Sequence, residues 1–323
     1  MAKSNRNAAL VLAFNRTDST ERLIRDLINF GVNKIYVSID GPRNAKDLDS
    51  QKLILDFLAK QNRDLDVCIK IKKNETNLGL AIAILTALKW FFSNETCGYI
   101  IEDDLDFDSN FLDFCDGALL HFEQKSDVWL ISGNQYSNDK NSGIWVNYPL
   151  IWGWASWREK WNEIEKCILD NHLNTHSSLP LNVAKFWQLG NWRAQKGILD
   201  SWAVPLAANM RLRNKYCLLP PVNLVSNRGV GEGAVHTTEN AWHTNWKISN
   251  DLELTDFRSQ WLKPKNNLII EDSNHYLEEN IYRIKPRHIF STYISIFLDQ
   301  IKRRSKRSSL FDELNKNSNV QYF

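Results

Sequence analysis

The chemical question is set by one stretch, Tyr99-Ile100-Ile101-Glu102-Asp103-Asp104-Leu105-Asp106, in which an apolar run passes directly into acid. Such a run predicts a buried strand carrying its acids at the carboxyl end, the side of an open α/β sheet on which ligands bind. Three adjacent carboxylates repel one another, and the crowding is tolerable mainly where a cation or strong hydrogen bonds offset it. An all-oxygen set suits Mg²⁺ or Mn²⁺ bridging to a diphosphate, and does not suit zinc. A solvated acidic turn after a buried strand is the ordinary alternative, so the elements around the triplet must decide.

Those elements are legible. Ala8 to Phe14 (AALVLAF) is continuously apolar, as a strand buried on both faces must be. Asp18-Ser19-Thr20-Glu21 supplies capping residues and early acids for a helix whose apolar stripe is Leu23, Ile24, Leu27 and Ile28, ended by Gly31. Lys34 to Ile39 predicts a second strand, closed by Asp40-Gly41-Pro42, and a helix follows from about Asp47 to Lys60. Val67 to Ile71 predicts a third strand, and Asn77-Leu78-Gly79 opens a helix running through Phe92 before the acid-bearing strand. Strands alternating with helices predict a parallel sheet with right-handed crossovers.

The rhythm changes near Asp127. Val128 to Asn134 predicts another strand, and Ile151-Trp152-Gly153-Trp154-Ala155-Ser156-Trp157 is expected to introduce a Trp-heavy helical region reaching about Met210. Tyr216 to Val225 is strand-like, and Ser226 to Thr238 is polar and Gly-rich. The expected organisation is an α/β ligand-binding half over 1–126, a second half of the same domain over 127–275, and a helical, basic tail over 276–323.

Composition narrows the classes. The 323 residues suffice for one large domain or two modest ones, and a net charge of +2 implies no nucleic-acid partner. Five widely spaced cysteines without a CxxC pair argue against a disulfide framework or a zinc site and for a reducing, cytoplasmic setting. The apolar start is too short to span a membrane. His288 to Ile301 followed by Lys302 to Arg307 could lie on an anionic membrane surface, and this 288–307 segment is the expected peripheral contact. Thirteen Trp is a marked excess, fitted either to flat amphipathic ligands such as sugars or to an aromatic core.

The order of Ala13-Phe14-Asn15-Arg16, Ser38-Ile39-Asp40-Gly41, Asn77-Leu78-Gly79 and Glu102-Asp103-Asp104 resembles that of GT-A glycosyltransferases, with the N-acetylglucosaminyltransferase I type and its bacterial relatives most similar. The resemblance covers about residues 8 to 240. It implies a Rossmann-like sheet that takes a nucleotide-diphosphate sugar, a UDP-sugar by preference, together with Mn²⁺ or Mg²⁺, and passes the sugar to a glycan or lipid-linked glycan, with inversion.

The resemblance also implies roles. Asp40 would accept from the base edge, Arg16 beside Asn15 would meet the phosphates, and Asn77 and Gly79 would shape the donor turn. Glu102 and Asp103 would hold ribose and sugar hydroxyls, and Asp104 would ligate the metal. Asp200, in Ile198-Leu199-Asp200-Ser201-Trp202, would be the general base, although many relatives place a further acid where this chain has Ala203; Glu232 and Asp170 are weaker alternatives. Trp152, Trp154 or Trp157 would form a platform for the acceptor sugar. Asn227 to His236 resembles a closing loop, with His236 as a second metal ligand or diphosphate contact.

Against a dinucleotide oxidoreductase, Gly229-x-Gly231-x-Gly233 comes late, and the first strand-to-helix turn holds no glycine. Against a sugar nucleotidyltransferase, the first strand lacks a Gly-rich, Arg-containing loop. A carbohydrate-binding protein without catalysis, or an inactive paralogue, would not need the acidic triplet.

Overall fold

The computed structural model describes residues 6–136, 144–169, 179–228, 248 and 267–286. Its strands are β1 (Ala8–Ala13), β2 (Lys34–Ile39), β3 (Cys68–Lys73), β4 (Cys97–Glu102), β5 (Leu105–Phe107), β6 (Val128–Ser132), β7 (Trp145–Val146), β8 (Trp154–Trp157), β9 (Tyr216–Leu218) and β10 (Val225–Asn227). Its helices are α1 (Thr17–Asn29), α2 (Ala45–Asp64), α3 (Leu80–Asn94), α4 (Ser109–Phe122), α5 (Arg158–Leu169), α6 (Leu181–Gln195), α7 (Ala203–Leu212) and α8 (Asn267–Tyr276).

Eight strands form one sheet in the order β3-β2-β1-β4-β8-β6-β9-β7, and β10 pairs with β5 beside it. The sheet is parallel from β3 to β4, and β8 enters antiparallel between β4 and β6. It therefore continues from the first section of the chain into the second. The fold is the α/β class that the sequence predicts, a mostly parallel sheet flanked by helices.

Side-chain alternation explains the continuous apolar runs. Along β1, Leu10 joins the core under α3, α5, α6 and α7, while Ala9 and Val11 join the core under α1, α2 and α4. Both faces are covered, so both must be apolar.

The chain steps from β1 outward through β2 and β3, then returns to place β4 on the other side of β1. That reversal opens a crevice at the carboxyl ends of β1 and β4, the usual ligand position in such sheets. Register fixes the crevice: Leu12 lies opposite Glu102, and the Asp103 amide donates to the Leu12 carbonyl at 3.0 Å. Phe14 to Arg16 and Glu102 to Asp104 thus emerge side by side.

Three expectations are corrected. Trp154 to Trp157 is a strand, not the start of a helix: Trp154 faces one core, Ala155 and Trp157 the other, and the helix begins only at Arg158. The strand expected from Tyr216 to Val225 is broken, because Pro220 and Pro221 have no N–H to donate to a ladder, leaving β9 and β10 apart. The start of the expected tail is built into the body. Leu277 and Glu278 are buried, Arg211 Nε donates to Glu278 Oε1 at 2.8 Å, and Tyr148 Oη donates to the same oxygen at 2.6 Å. The 288–307 segment lies outside the described residues, and among those described no helix is long and apolar enough to cross a membrane.

Most of the tryptophan is core. Trp90, Trp129, Trp145, Trp154, Trp157, Trp161, Trp187 and Trp202 are buried. Trp154, 1 % exposed, stacks on Trp202 with ring centroids 5.9 Å apart. Of the three candidates for a sugar platform, only Trp152 is partly exposed. Trp154→Ala should therefore destabilise the fold by about 3–5 kcal/mol in chemical denaturation, with Trp152→Ala costing far less; equal losses would contradict this division.

Candidate functional site

A cavity of about 580 Å³ opens at the β1/β4 crevice. It is lined by Asn15, Arg16, Asp40, Asn77, Gly79, Glu102, Asp103, Asp104 and Asp200 together, residues spread over 186 positions of sequence. His236, with the Gly-rich loop and Glu232, lies outside the described residues, as does Asp170.

The acids are arranged around one guanidinium. Arg16 Nη1 lies 2.9 Å from Asp103 Oδ1 and 3.0 Å from Asp104 Oδ2. Asp103 Oδ2 accepts from the Phe14 amide at 3.1 Å, closing β1 onto the acid strand. Arg16 occupies the position before α1, where the sequence suggested side-chain capping from Asp18 onward; it makes no cap hydrogen bond, and its side chain turns to the acids instead. Asp103 and Asp104 are 4 % and 9 % exposed. Burial pushes the Asp103 carboxyl up to about 6 against the pull of Arg16, and pushes Asp104 up in the same direction. Glu102 reaches about 8, through burial first and then the charges of Asp104 and Asp103.

One atom is left over. Asp104 Oδ1 is buried, without a hydrogen-bond partner among the described residues. Among the described residues no group of three His, Cys, Asp or Glu side chains could hold a metal ion by itself. Asp104 lines the cavity, and a carboxylate of this kind fits Mg²⁺ or Mn²⁺, which take one or two carboxylates and complete their shell with water and substrate phosphates. Asp104 is the residue that would hold such an ion.

The strand carrying these acids is also tied to the approach of the Gly-rich segment. β10 pairs with β5, the Arg228 amide donates to the Asp104 carbonyl at 2.9 Å, the Arg228 side chain pairs with Asp106, and Asn227 lines the cavity.

Asp40 lines the cavity and is held by the neighbouring turn. Its Oδ1 accepts from Asn74 Nδ2 at 3.0 Å and the Leu78 amide at 3.1 Å; its Oδ2 accepts from Asn77 Nδ2 at 2.9 Å and the Leu78 amide at 3.2 Å. The carboxylate fastens the 74–78 turn to the end of β2. Three donors thus meet this carboxylate, the Leu78 amide being shared between its two oxygens. The turn packs against Gly41, where a Cβ would lie 2.1 Å from the Thr76 carbonyl carbon.

Asp200 crosses from the second half to the first. Its Oδ1 accepts from the Ala81 amide at 2.9 Å and its Oδ2 from the Leu80 amide at 3.1 Å, at the start of α3. It thus bonds the first turn of a distant helix, while α7 begins after Trp202. Gly79, at φ +79°, supplies the left-handed residue that admits this approach. Sequence reading passed over Arg43 and gave no role to Phe14 and Ser38, which also line the cavity.

The sequence matches no family model and no curated relative. The fold is similar to that of the mannosyltransferase PcManGT from Pyrobaculum calidifontis in complex with GDP-Man and Mn²⁺, at 12 % identity and a TM-score of 0.49, over 94 % of this chain and 77 % of that one. It is also similar to the glycosyltransferase GlyE of Streptococcus pneumoniae TIGR4, at 10 % identity and a TM-score of 0.39, over 67 % of this chain and 45 % of that one. HddC from Yersinia pseudotuberculosis, complexed with GMP-PN, matches 47 % of this chain and 77 % of its own length at 14 % identity and a TM-score of 0.31. At these values the functional reading rests on the cavity itself.

Raised carboxyls have a thermodynamic consequence. A carboxyl whose folded value exceeds its unfolded one binds extra protons in the native state, so its stabilising contribution is complete at low pH and lost as pH rises through the folded value. For Glu102 that window runs from 4.5 to about 8. Melting temperatures recorded between about pH 5 and pH 8 should fall less steeply for Glu102→Gln than for wild type, with the variant the more stable at the alkaline end; superimposable profiles would remove Glu102 from the account.

Proposed function

We propose that this chain is a metal-dependent glycosyltransferase that moves a sugar from a nucleoside-diphosphate donor to a hydroxyl of a glycan or lipid-linked glycan. The observation that carries the reading is the buried Asp103–Asp104 pair at the β1/β4 crevice, counterbalanced by Arg16 and leaving Asp104 Oδ1 without a partner among the described residues. A carbohydrate-binding protein would have no need to bury this charge.

Asp104, with His236 where the closing loop reaches the donor, would hold Mn²⁺ or Mg²⁺. Bound there, the ion would stabilise the charge that develops on the departing diphosphate. Arg16 meets the same phosphates with its planar fork. Glu102 lines the same cavity and offers its carboxyl to a sugar or ribose hydroxyl. Trp152 offers the acceptor sugar's C–H face an indole at the cavity wall.

Asp200 is the proposed base. Each of its oxygens accepts one amide hydrogen bond and keeps a second lone pair for the acceptor's proton. The acceptor oxygen bonds to the anomeric carbon, the bond to the diphosphate oxygen breaks, and Asp200 takes the proton. A single displacement of this kind inverts configuration.

Release of nucleoside diphosphate from a panel of nucleotide sugars, assayed with Mn²⁺ and with chelator, tests the reading. Asp104→Asn should lower turnover by at least ~10²-fold, and unchanged activity in chelator would refute the metal assignment. Asp200→Asn, whose Nδ2 cannot accept from one of the two α3 amides, should lower the melting temperature modestly and, assayed where the variant is folded and binds donor, should lower turnover by a similar ~10²-fold. Near wild-type turnover in the folded variant would make Asp200 a helix cap and no base.

A further inference from the structure

Arg43 has no part in the roles given so far. It follows Asp40 by three positions, in the turn before α2, and its side chain, 51 % exposed, lines the cavity. One edge of its guanidinium is occupied. Nε donates to Asp47 Oδ2 at 2.8 Å, Nη2 lies 3.3 Å from Asp47 Oδ1, and the Arg43 amide donates to Oδ2 at 3.1 Å. Asp47 is itself buried and fixed, accepting from Asn15 Nδ2 at 2.6 Å while its amide donates to Asn44 Oδ1 at 3.0 Å. One face of the guanidinium rests on Phe14, 4.6 Å from the ring centroid.

This arrangement selects a ligand class. Phosphates and carboxylates are gripped by the N–H edge of an arginine, in fork geometry. Here that edge already holds a carboxylate, and the flat face opposite Phe14 remains. A guanidinium plane takes a planar π system by stacking. We propose that the outer face of Arg43, held rigid by Asp47 and backed by Phe14, is the platform on which the donor's nucleobase lies.

The inference rests on the reading of the cavity as a nucleotide-sugar site and adds a residue that contacts the face of the base. Connectivity agrees with it. Asp47 joins Arg43 to Asn15, and the next residue, Arg16, joins the acids, so a nucleotide with its base on Arg43 runs its diphosphate toward Asp104. Stacking does not read base edges, so purine and pyrimidine nucleotides should both respond.

Calorimetric titration of the full chain with UDP, GDP and inorganic pyrophosphate, each with Mn²⁺, tests this. Arg43→Ala should weaken both nucleoside diphosphates by about tenfold and leave pyrophosphate unchanged. Arg43→Lys, which keeps the charge beside Asp47 but loses the plane, should show the same loss, and it carries the test if Arg43→Ala does not fold. Wild-type affinity for the nucleotides in Arg43→Lys, or an equal loss of pyrophosphate, would overturn the platform while leaving the site's reading intact. A wild-type chain that binds pyrophosphate but neither nucleotide would overturn both.

Discussion

Two carboxylates buried side by side at the end of a strand require a counter-charge, and among the described residues Arg16 provides it for both Asp103 and Asp104. The rest of the crevice follows from this pairing. It needs β1 and β4 as neighbours in register, so that Arg16 and the acids leave the sheet together, and the Phe14 amide on Asp103 locks the same register from the backbone. It needs Arg16 freed from helix capping. It also leaves Asp104 with one oxygen that no donor among the described residues reaches. A buried lone pair without a donor is costly in a folded chain and fits a site whose ligand supplies the missing partner.

Around this centre the walls are joined by carboxylates acting as fasteners. Asp40 fixes the 74–78 turn, Asp47 holds Arg43 and Asn15, and Asp200 ties the loop before α7 to the start of α3. Each bonds backbone amides or amide side chains that a cavity wall would otherwise leave unpaired. Asp200 is the most consequential of them, because it links the two halves of the chain at the cavity wall.

Much of this was written locally in the sequence. The β1–β4 strands are apolar runs with clear stops, and the acids, Asn15-Arg16 and Asn77-Leu78-Gly79 mark their carboxyl ends, so one sheet topology brings them together. What could not be read depends on contacts made at long range. Trp154-Ala155-Ser156-Trp157 has no decisive period, and only its insertion between β4 and β6 makes it a strand. Trp154 as a platform was a reasonable residue type at a reasonable place, but the ring of Trp202 claims it. Arg43 carries no signal by itself, since its side chain is placed by Asp47 four residues on and by Phe14 just beyond β1.

The central claim is that the Arg16–acid centre receives the metal and diphosphate of a nucleotide donor. A crystal grown with Mn²⁺ and a nucleoside diphosphate, measured for anomalous scattering of manganese, tests it most directly. The account predicts an anomalous peak within coordination distance of Asp104, shared with the diphosphate oxygens. Manganese and nucleotide bound away from the β1/β4 crevice, with Asp104 Oδ1 still unpartnered, would contradict it.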